Sequence, residues 1–128
     1  MRIDHVALYC VDLEGMKDFF IRFFDARCNR LYHNPKTGLK AYFLSFTEGG
    51  SRLEIMSRPE VTEANNQLFD SGFIHLCINV GSAEQVDLLT RKLSEAGYQV
   101  HSGPRVTGDG YYESSIIGPE GIQVEITI

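Results

Sequence analysis

The sequence repeats itself, and this repeat limits the folds that the chain can adopt. Shifting the 128-residue chain by 70 positions aligns His5 with His75 without a gap. Farther along, one extra residue in a turn of the second copy aligns Glu54 with Glu125. Few residues are identical, but polar and apolar positions agree along both copies. The pattern therefore predicts two related modules built from the same elements.

Each copy carries the same order of predicted elements. An apolar strand comes first, and a residue suited to cap a helix follows it, Asp12 in the first copy and Ser82 in the second. Apolar residues then recur at helical spacing, and three short β-like stretches separated by turn residues complete the copy. The predicted strands that open the copies are residues 3–10 and 73–80, and the predicted helices are residues 13–26 and 83–96.

This order predicts an α+β fold made of two tandem βαβββ modules. Residues 1–58 form the first module, residues 59–71 a polar linker, and residues 72–128 the second module. Because 128 residues are few for two independent cores, we expect one domain, residues 1–128.

Composition excludes several classes of partner. The formal net charge of -5 lacks the basic excess that nucleic-acid binding requires. No apolar run approaches the roughly 18 residues of a membrane span, and no leader peptide is expected. The three cysteines show no C-x-x-C spacing, which argues against a disulfide framework or a cysteine zinc site. We expect a cytoplasmic protein that binds a small molecule, neither nucleic acid nor a membrane.

The repeated polar residues share a face. Side chains alternate along a strand, so the apolar residues of each strand lie beneath a helix and the repeated histidine and glutamate point the other way. Imidazole nitrogen and carboxylate oxygen suit a divalent ion such as Ni, Zn, Co, Mn or Fe. A single strand histidine is usually a core or surface residue, but the duplication favours one divalent ion per site. The predicted metal ligands are His5, Glu54, His75 and Glu125.

Four segments, "IDHVALYC", "RLEIM", "GFIHLCINV" and "GPEGIQVEI", carry a resemblance to a known family. The last is similar to the closing D-P-x-G-x-x-[IVL]-E-[IL] hairpin of the vicinal oxygen chelate superfamily, with Gly118 where Asp is usual. That superfamily includes glyoxalase I, methylmalonyl-CoA epimerase, extradiol dioxygenases, fosfomycin-resistance transferases and metal-free bleomycin-resistance proteins. The resemblance covers nearly the whole chain and implies a cupped, eight-stranded half-barrel around a metal.

Residue by residue, the resemblance places the same two histidines and two glutamates on the family's four ligand positions. Glyoxalase I resembles this chain in using two His and two Glu, whereas dioxygenases and fosfomycin transferases typically use three protein ligands. The resemblance therefore implies a metal-dependent isomerase or lyase that moves a proton on a small α-oxygenated carbonyl substrate. The ion acts as a Lewis acid, and Glu125 or Glu54 acts as the general base.

The substrate is less well defined. Tyr9 stands where bacterial glyoxalase I usually has Arg, so the resemblance does not extend to a glutathione clamp. Other polar residues are predicted on the same surface or in the Gly-rich stretch "GPRVTGDGYY", whose alternative role is an ordinary flexible hairpin loop. The predicted substrate-binding residues are Tyr9, Arg52, Asn79, Arg105, Tyr111, Glu113 and Ser115.

Two other functions and an assembly follow from the resemblance. A metal-free module that sequesters a ligand would usually lack the four ligand residues, and an extradiol dioxygenase would usually have three. Short glyoxalase I chains imply a homodimer, in which His5 and Glu54 of one subunit face His75 and Glu125 of the other. Ligands drawn from a single chain are the alternative.

Overall fold

A computed structural model describes residues 1–63 and 71–128 of the chain. The protein has an α+β fold with two compact units, Met1–Asn65 and Asn66–Ile128, each with its own sheet and helix. Part of the predicted linker, residues 64–70, lies outside the described residues. Among those described, no helix has the length and apolar character needed to cross a membrane.

The first unit opens with a strand and a helix and continues with four strands, two of them short. These elements are β1 (His5–Tyr9), α1 (Leu13–Phe24), β2 (Arg27–Cys28), β3 (Tyr32–His33), β4 (Lys40–Ser45) and β5 (Arg52–Ser57). The second unit repeats this plan. Its elements are β6 (Leu76–Asn79), α2 (Ala83–Glu95), β7 (Gln99–Val106), β8 (Tyr112–Ile117), a single 3-10 turn (Pro119–Gly121) and β9 (Gln123–Thr127).

The two sheets have the same strand order. It is β1-β5-β4-β2 in the first unit, with β3 also pairing with β4, and β6-β9-β8-β7 in the second. In each sheet the first and last strands of the unit pair in parallel, and the other pairs are antiparallel. The register repeats as well, because Ala7 lies opposite Glu54 and Cys77 lies opposite Glu125. The predicted internal repeat is therefore confirmed.

Both helices begin at the predicted caps. The Asp12 carboxylate accepts a hydrogen bond from the Gly15 N–H at 2.9 Å, and the Ser82 hydroxyl accepts one from the Gln85 N–H at 3.3 Å. Each helix ends one or two residues earlier than predicted. Asp25 adopts a left-handed conformation with φ of 51° immediately after α1, and such a residue ends the helical hydrogen-bond series.

Each helix packs on one face of its own sheet, and the two cores are filled differently. The first core is rich in aromatic residues, and the second is aliphatic apart from a buried hydroxyl pair, Thr90 and Ser114. The main buried residues are Met16, Phe19, Phe20, Phe24, Leu44, Leu53 and Ile55 in the first unit and Val86, Leu93, Ile116, Val124 and Ile126 in the second.

Two predicted strands differ from those observed. The stretch after α1 forms two short strands, because Asn29 between them pairs with β4 partly through its side chain: its amide oxygen accepts from the Phe43 N–H at 2.8 Å. The predicted strand 73–80 is shorter than expected and begins at Leu76. Phe73 and Ile74 precede it and are 97% and 63% exposed, so Ile74 does not extend the apolar face as its alternation predicts.

Candidate functional site

In the first unit, His5 and Glu54 lie side by side on the sheet face opposite α1. His5 begins β1, and Glu54 lies in the neighbouring β5, between the buried residues Leu53 and Ile55. The His5 Nε2 and Glu54 Oε2 atoms are 3.6 Å apart. The Glu54 side chain is 19% exposed, so this carboxylate is largely shielded from water.

Three further residues surround His5. Asp4 Oδ1 lies 3.0 Å from His5 Nδ1, and the Arg52 guanidinium donates a hydrogen bond to the same carboxylate oxygen. Both contacts lower the pKa of the Asp4 carboxyl, and the contact with His5 has the larger effect. The Phe43 ring meets the His5 ring edge-to-face at 5.3 Å, and the Arg52 guanidinium lies 4.4 Å above the same Phe43 ring. We call Asp4, Arg52 and Phe43 the His5 clamp.

In the second unit, His75 and Glu125 form the corresponding pair on the face opposite α2. The distance from His75 Nε2 to Glu125 Oε2 is 3.7 Å, and the Glu125 side chain is again 19% exposed. Within residues 1–63 and 71–128, no second ion pair or hydrogen bond reaches the His75 ring. The two pairs therefore match in geometry and differ in what surrounds the histidine.

The Glu125 carboxylate has a polar neighbourhood of its own. Cys77 lies opposite it in the parallel pairing of β6 and β9. Burial, and then the nearby Glu125 carboxylate, raise the pKa of the Cys77 thiol to about 12. Burial and the charge of Glu125 also raise the pKa of Glu113. A raised pKa disfavours the thiolate form of Cys77, which argues against a nucleophilic role.

The second unit brings several predicted substrate-binding residues to the Glu125 face. Arg105 and Glu113 face each other across β7 and β8, and their side chains form an ion pair at 3.4 Å. Ser115 lies opposite Glu125, and its hydroxyl accepts from the Gln123 amide at 2.9 Å. Asn79 is used differently. Its side-chain oxygen accepts from the Gly81 N–H at 2.8 Å, which fixes the turn before α2.

The Gly-rich stretch forms an ordered hairpin turn between β7 and β8. The Thr107 hydroxyl donates to the Asp109 carboxylate at 2.5 Å and accepts from the Tyr111 N–H at 3.0 Å. Thr107 and Asp109 are therefore engaged in holding the turn. The side chain of Tyr111 remains exposed, as does that of Tyr9 at the end of β1.

The separation of the two donor atoms within each pair is close to that of two ligands on one divalent ion. Two ligand atoms, each about 2.1 Å from one ion, lie about 3.0 Å apart at a right angle and about 3.4 Å apart at a tetrahedral angle. The observed separations, 3.6 and 3.7 Å, are slightly wider, so a small side-chain adjustment suffices. Each pair supplies only two ligands, and the described part of the chain contains no group of three or more His, Cys, Asp or Glu side chains that could hold an ion. Each pair therefore fits two of the ligands that a divalent ion takes.

The contacts of the His5 clamp were not predicted from the sequence. Asp4 directly precedes His5, and a carboxylate beside a candidate ligand histidine is a usable signal. Phe43 could be found only from strand pairing, because its position opposite Glu54 depends on the register of β4 and β5. Arg52 was predicted on this face, but as a substrate-binding residue.

Comparison with known proteins agrees with this architecture. The model of the Glyoxalase/Bleomycin resistance protein/Dioxygenase superfamily matches residues 2–126. An uncharacterized protein, YqjT of Bacillus subtilis, is 29% identical over 126 residues, which are 95% of this chain and 94% of the relative.

Two solved structures share the fold. The trypanothione-dependent glyoxalase I of Leishmania major superposes with a TM-score of 0.80 at 18% identity, covering 99% of this chain and 86% of the other. The fosfomycin resistance protein FosX of Listeria monocytogenes superposes with a TM-score of 0.73 at 17% identity, covering 98% and 88%. At these identities the likeness concerns the fold, which these two proteins share while their names differ in activity. The family match, which covers almost the entire chain, confirms the resemblance seen in the sequence: this protein belongs to the glyoxalase/bleomycin resistance protein/dioxygenase superfamily.

Proposed function

We propose that this protein is a divalent-metal-dependent isomerase or lyase of the glyoxalase I type, acting on a small α-oxygenated carbonyl compound. The proposed ligands of one ion are His5, Glu54, His75 and Glu125. The observation that carries the proposal is the duplicated histidine–glutamate pair, which has nearly the same Nε2 to Oε2 separation in both units. A repeated fold alone does not require a polar pair at this position, whereas a shared ion does.

The metal supplies Lewis acidity when bound, which polarises the substrate oxygens and makes the adjacent C–H acidic. Glu54 and Glu125 are the candidate bases, since each is a largely shielded carboxylate that can accept a proton from carbon and return it to the neighbouring atom. The remaining candidates for contacting the substrate are Tyr9, Arg52, Arg105, Glu113 and Ser115. Asn79 and Tyr111 are weaker candidates, since the Asn79 amide holds a turn and Tyr111 lies at the hairpin tip.

The four ligand residues favour an enzyme over a metal-free binding module. A module that only sequesters a ligand has no need for two matched histidine–carboxylate pairs. Four protein ligands also leave fewer open coordination positions than an oxidative mechanism with dioxygen and a bidentate substrate requires. We therefore consider an isomerase or lyase better supported by these residues than either of the other two functions.

The proposal is tested by turnover. Protein reconstituted with Ni²⁺, Zn²⁺, Co²⁺ or Mn²⁺ would be assayed against hemithioacetals formed from methylglyoxal and small thiols. We expect Glu125→Gln to lower turnover by more than it lowers metal affinity, because the amide keeps an oxygen ligand but cannot accept the proton. Glu95→Gln, which removes an exposed carboxylate from α2 on the other face of the sheet, is the matched control for altered charge. Full turnover in both Glu125→Gln and Glu54→Gln would rule out a carboxylate base.

We also propose a homodimer with shared sites, in which each ion takes one pair from each subunit. Complementation tests this arrangement. When inactive His5→Ala and His75→Ala chains are mixed under exchange conditions, one site of the heterodimer collects both lesions and the other collects none. The heterodimer should therefore have up to half of the turnover of the unmodified dimer. If each site is built within one chain, every site keeps one lesion and no activity returns.

A further inference from the structure

We infer that Asp4 is a positioning residue that fixes the protonation pattern of His5, so that the ring nitrogen facing Glu54 is free to bind a metal ion. The inference rests on the proposed function, because it concerns a ligand of the proposed ion. It adds a residue outside the four-ligand set and a difference between the two histidines.

The first step is the chemistry of the contact between Asp4 and His5. An ionised carboxylate can only accept hydrogen bonds. Asp4 Oδ1 lies 3.0 Å from His5 Nδ1, within hydrogen-bond distance, whereas Glu54 Oε2 lies 3.6 Å from Nε2, outside it, so the contact with Asp4 favours the hydrogen on Nδ1. In a neutral imidazole this leaves a lone pair on Nε2, the atom that lies 3.6 Å from the Glu54 carboxylate. Asp4 thus selects the tautomer that a metal at Nε2 requires.

The second step is the rigidity of the contact. The Asp4 side chain is 54% exposed, so its carboxylate needs a fixed partner to orient a neighbouring ring. Arg52 provides it by donating to the same oxygen. Arg52 is itself held by its position over the Phe43 ring, which also packs against His5. The three clamp residues and His5 thus form a closed circuit of contacts, in the order Asp4, His5, Phe43, Arg52 and back to Asp4.

The third step is the comparison with His75. Applying the repeat, Ile74 stands where the first unit has Asp4, and strand register places Gln123 and Ser115 where it has Arg52 and Phe43. The Ile74 side chain cannot accept a hydrogen bond. The Gln123 amide N–H donates to the Ser115 hydroxyl at 2.9 Å, and among the described residues neither of these two side chains is hydrogen-bonded to the His75 ring. His75 therefore lacks the clamp, and the carboxylate at His5 is not a by-product of the repeat.

The experiment reads the tautomer directly, in protein without metal. Long-range ¹⁵N–¹H spectra of ¹⁵N-histidine-labelled protein, stripped of metal and kept in mildly alkaline buffer, distinguish Nδ1–H from Nε2–H rings. We expect Nδ1–H for His5 in the unmodified protein and a shift toward Nε2–H in Asp4→Ala. Asp4→Asn should retain Nδ1–H, because its amide oxygen still accepts. Asp18→Ala, which removes another exposed carboxylate of the first unit, should change nothing.

The second measurement is calorimetric titration of the stripped proteins with Zn²⁺. We expect Asp4→Ala to weaken binding by about 10- to 100-fold, and Asp4→Asn by much less. Arg52→Gln should fall between them. An Asp4→Ala protein with the Nδ1–H tautomer and unchanged Zn²⁺ affinity would overturn the inference, and so would an Asp4→Asn protein as impaired as Asp4→Ala. Unmodified protein that binds no divalent ion would overturn the proposed function instead, whatever its tautomer.

Discussion

The two units share one topology but fill equivalent positions with different chemistry. The repeat makes Phe20 of α1 equivalent to Thr90 of α2. By strand register, Tyr42 of β4 occupies the position in its sheet that Ser114 of β8 occupies in the other. Phe20 and Ser114 are fully buried, and Thr90 is 5% exposed. At these positions the first unit has two aromatic side chains, whereas the second has two hydroxyls joined by a hydrogen bond at 2.5 Å. Strand order thus survives a change from aromatic side chains to a buried hydroxyl pair.

The same contrast holds on the opposite faces of the sheets. The first unit surrounds its histidine with the clamp, whereas the second surrounds its glutamate with Cys77, Glu113 and Ser115. The histidine–glutamate pairs are nevertheless nearly identical in separation. What is kept between the units is the pair, and what varies is its support.

The largest expected difference between the units lies in their cores. Phe20→Ala should lower the free energy of unfolding by about 3–5 kcal/mol, because it opens a large cavity and removes ring contacts with Phe19, Phe24 and Phe46. Leu93→Ala should cost less, about 2–4 kcal/mol. Urea denaturation followed by circular dichroism measures both. A Phe20→Ala protein more stable than Leu93→Ala would contradict the view that ring packing dominates the first core.

The buried hydroxyl pair gives the next effect. Thr90→Val should cost about 1–3 kcal/mol, because the Ser114 hydroxyl keeps its burial and loses its partner. The double variant Thr90→Val/Ser114→Ala should recover most of that loss, since neither polar group remains unpaired. Equal stability of the single and double variants would show that the hydroxyl pair does not act as a unit.

The smallest effect concerns acid stability of the first unit. Hydrogen bonds from Lys17 and then Tyr42 lower the pKa of Glu14. A carboxyl with a lowered folded-state pKa stabilises the fold above its unfolded pKa, and this contribution is lost as the pH falls through the folded value. Because the Glu14 side chain is 58% exposed, we expect at most about 1 kcal/mol.

Glu14→Gln should therefore be slightly less stable than the unmodified protein at neutral pH and converge with it in acid. Urea denaturation at both pH values measures this. Glu48→Gln, which alters an exposed carboxylate in a turn of the same unit, is the control. A gap between Glu14→Gln and the unmodified protein that persists unchanged in acid would refute the electrostatic explanation.

Much of the fold was predictable from the sequence, because its signals are local and occur twice. The helix caps Asp12 and Ser82 precede helical periodicity, and alternation along single strands separates Glu54 and Glu125 from the buried residues. The His5 clamp was not predictable in the same way. It depends on which residues of separate strands become neighbours, and Phe43 reaches His5 only through the register of β4, β5 and β1. The side-chain pairing of Asn29 that divides β2 from β3 is similarly a tertiary effect.

We propose that both histidine–glutamate pairs together hold one divalent ion. The most direct test is metal content, measured by mass spectrometry on protein purified without chelator or nickel resin. We expect about one divalent ion per chain, and its loss in each of the four variants His5→Ala, Glu54→Ala, His75→Ala and Glu125→Ala. Stoichiometric metal that persists unchanged in His75→Ala and Glu125→Ala would contradict it.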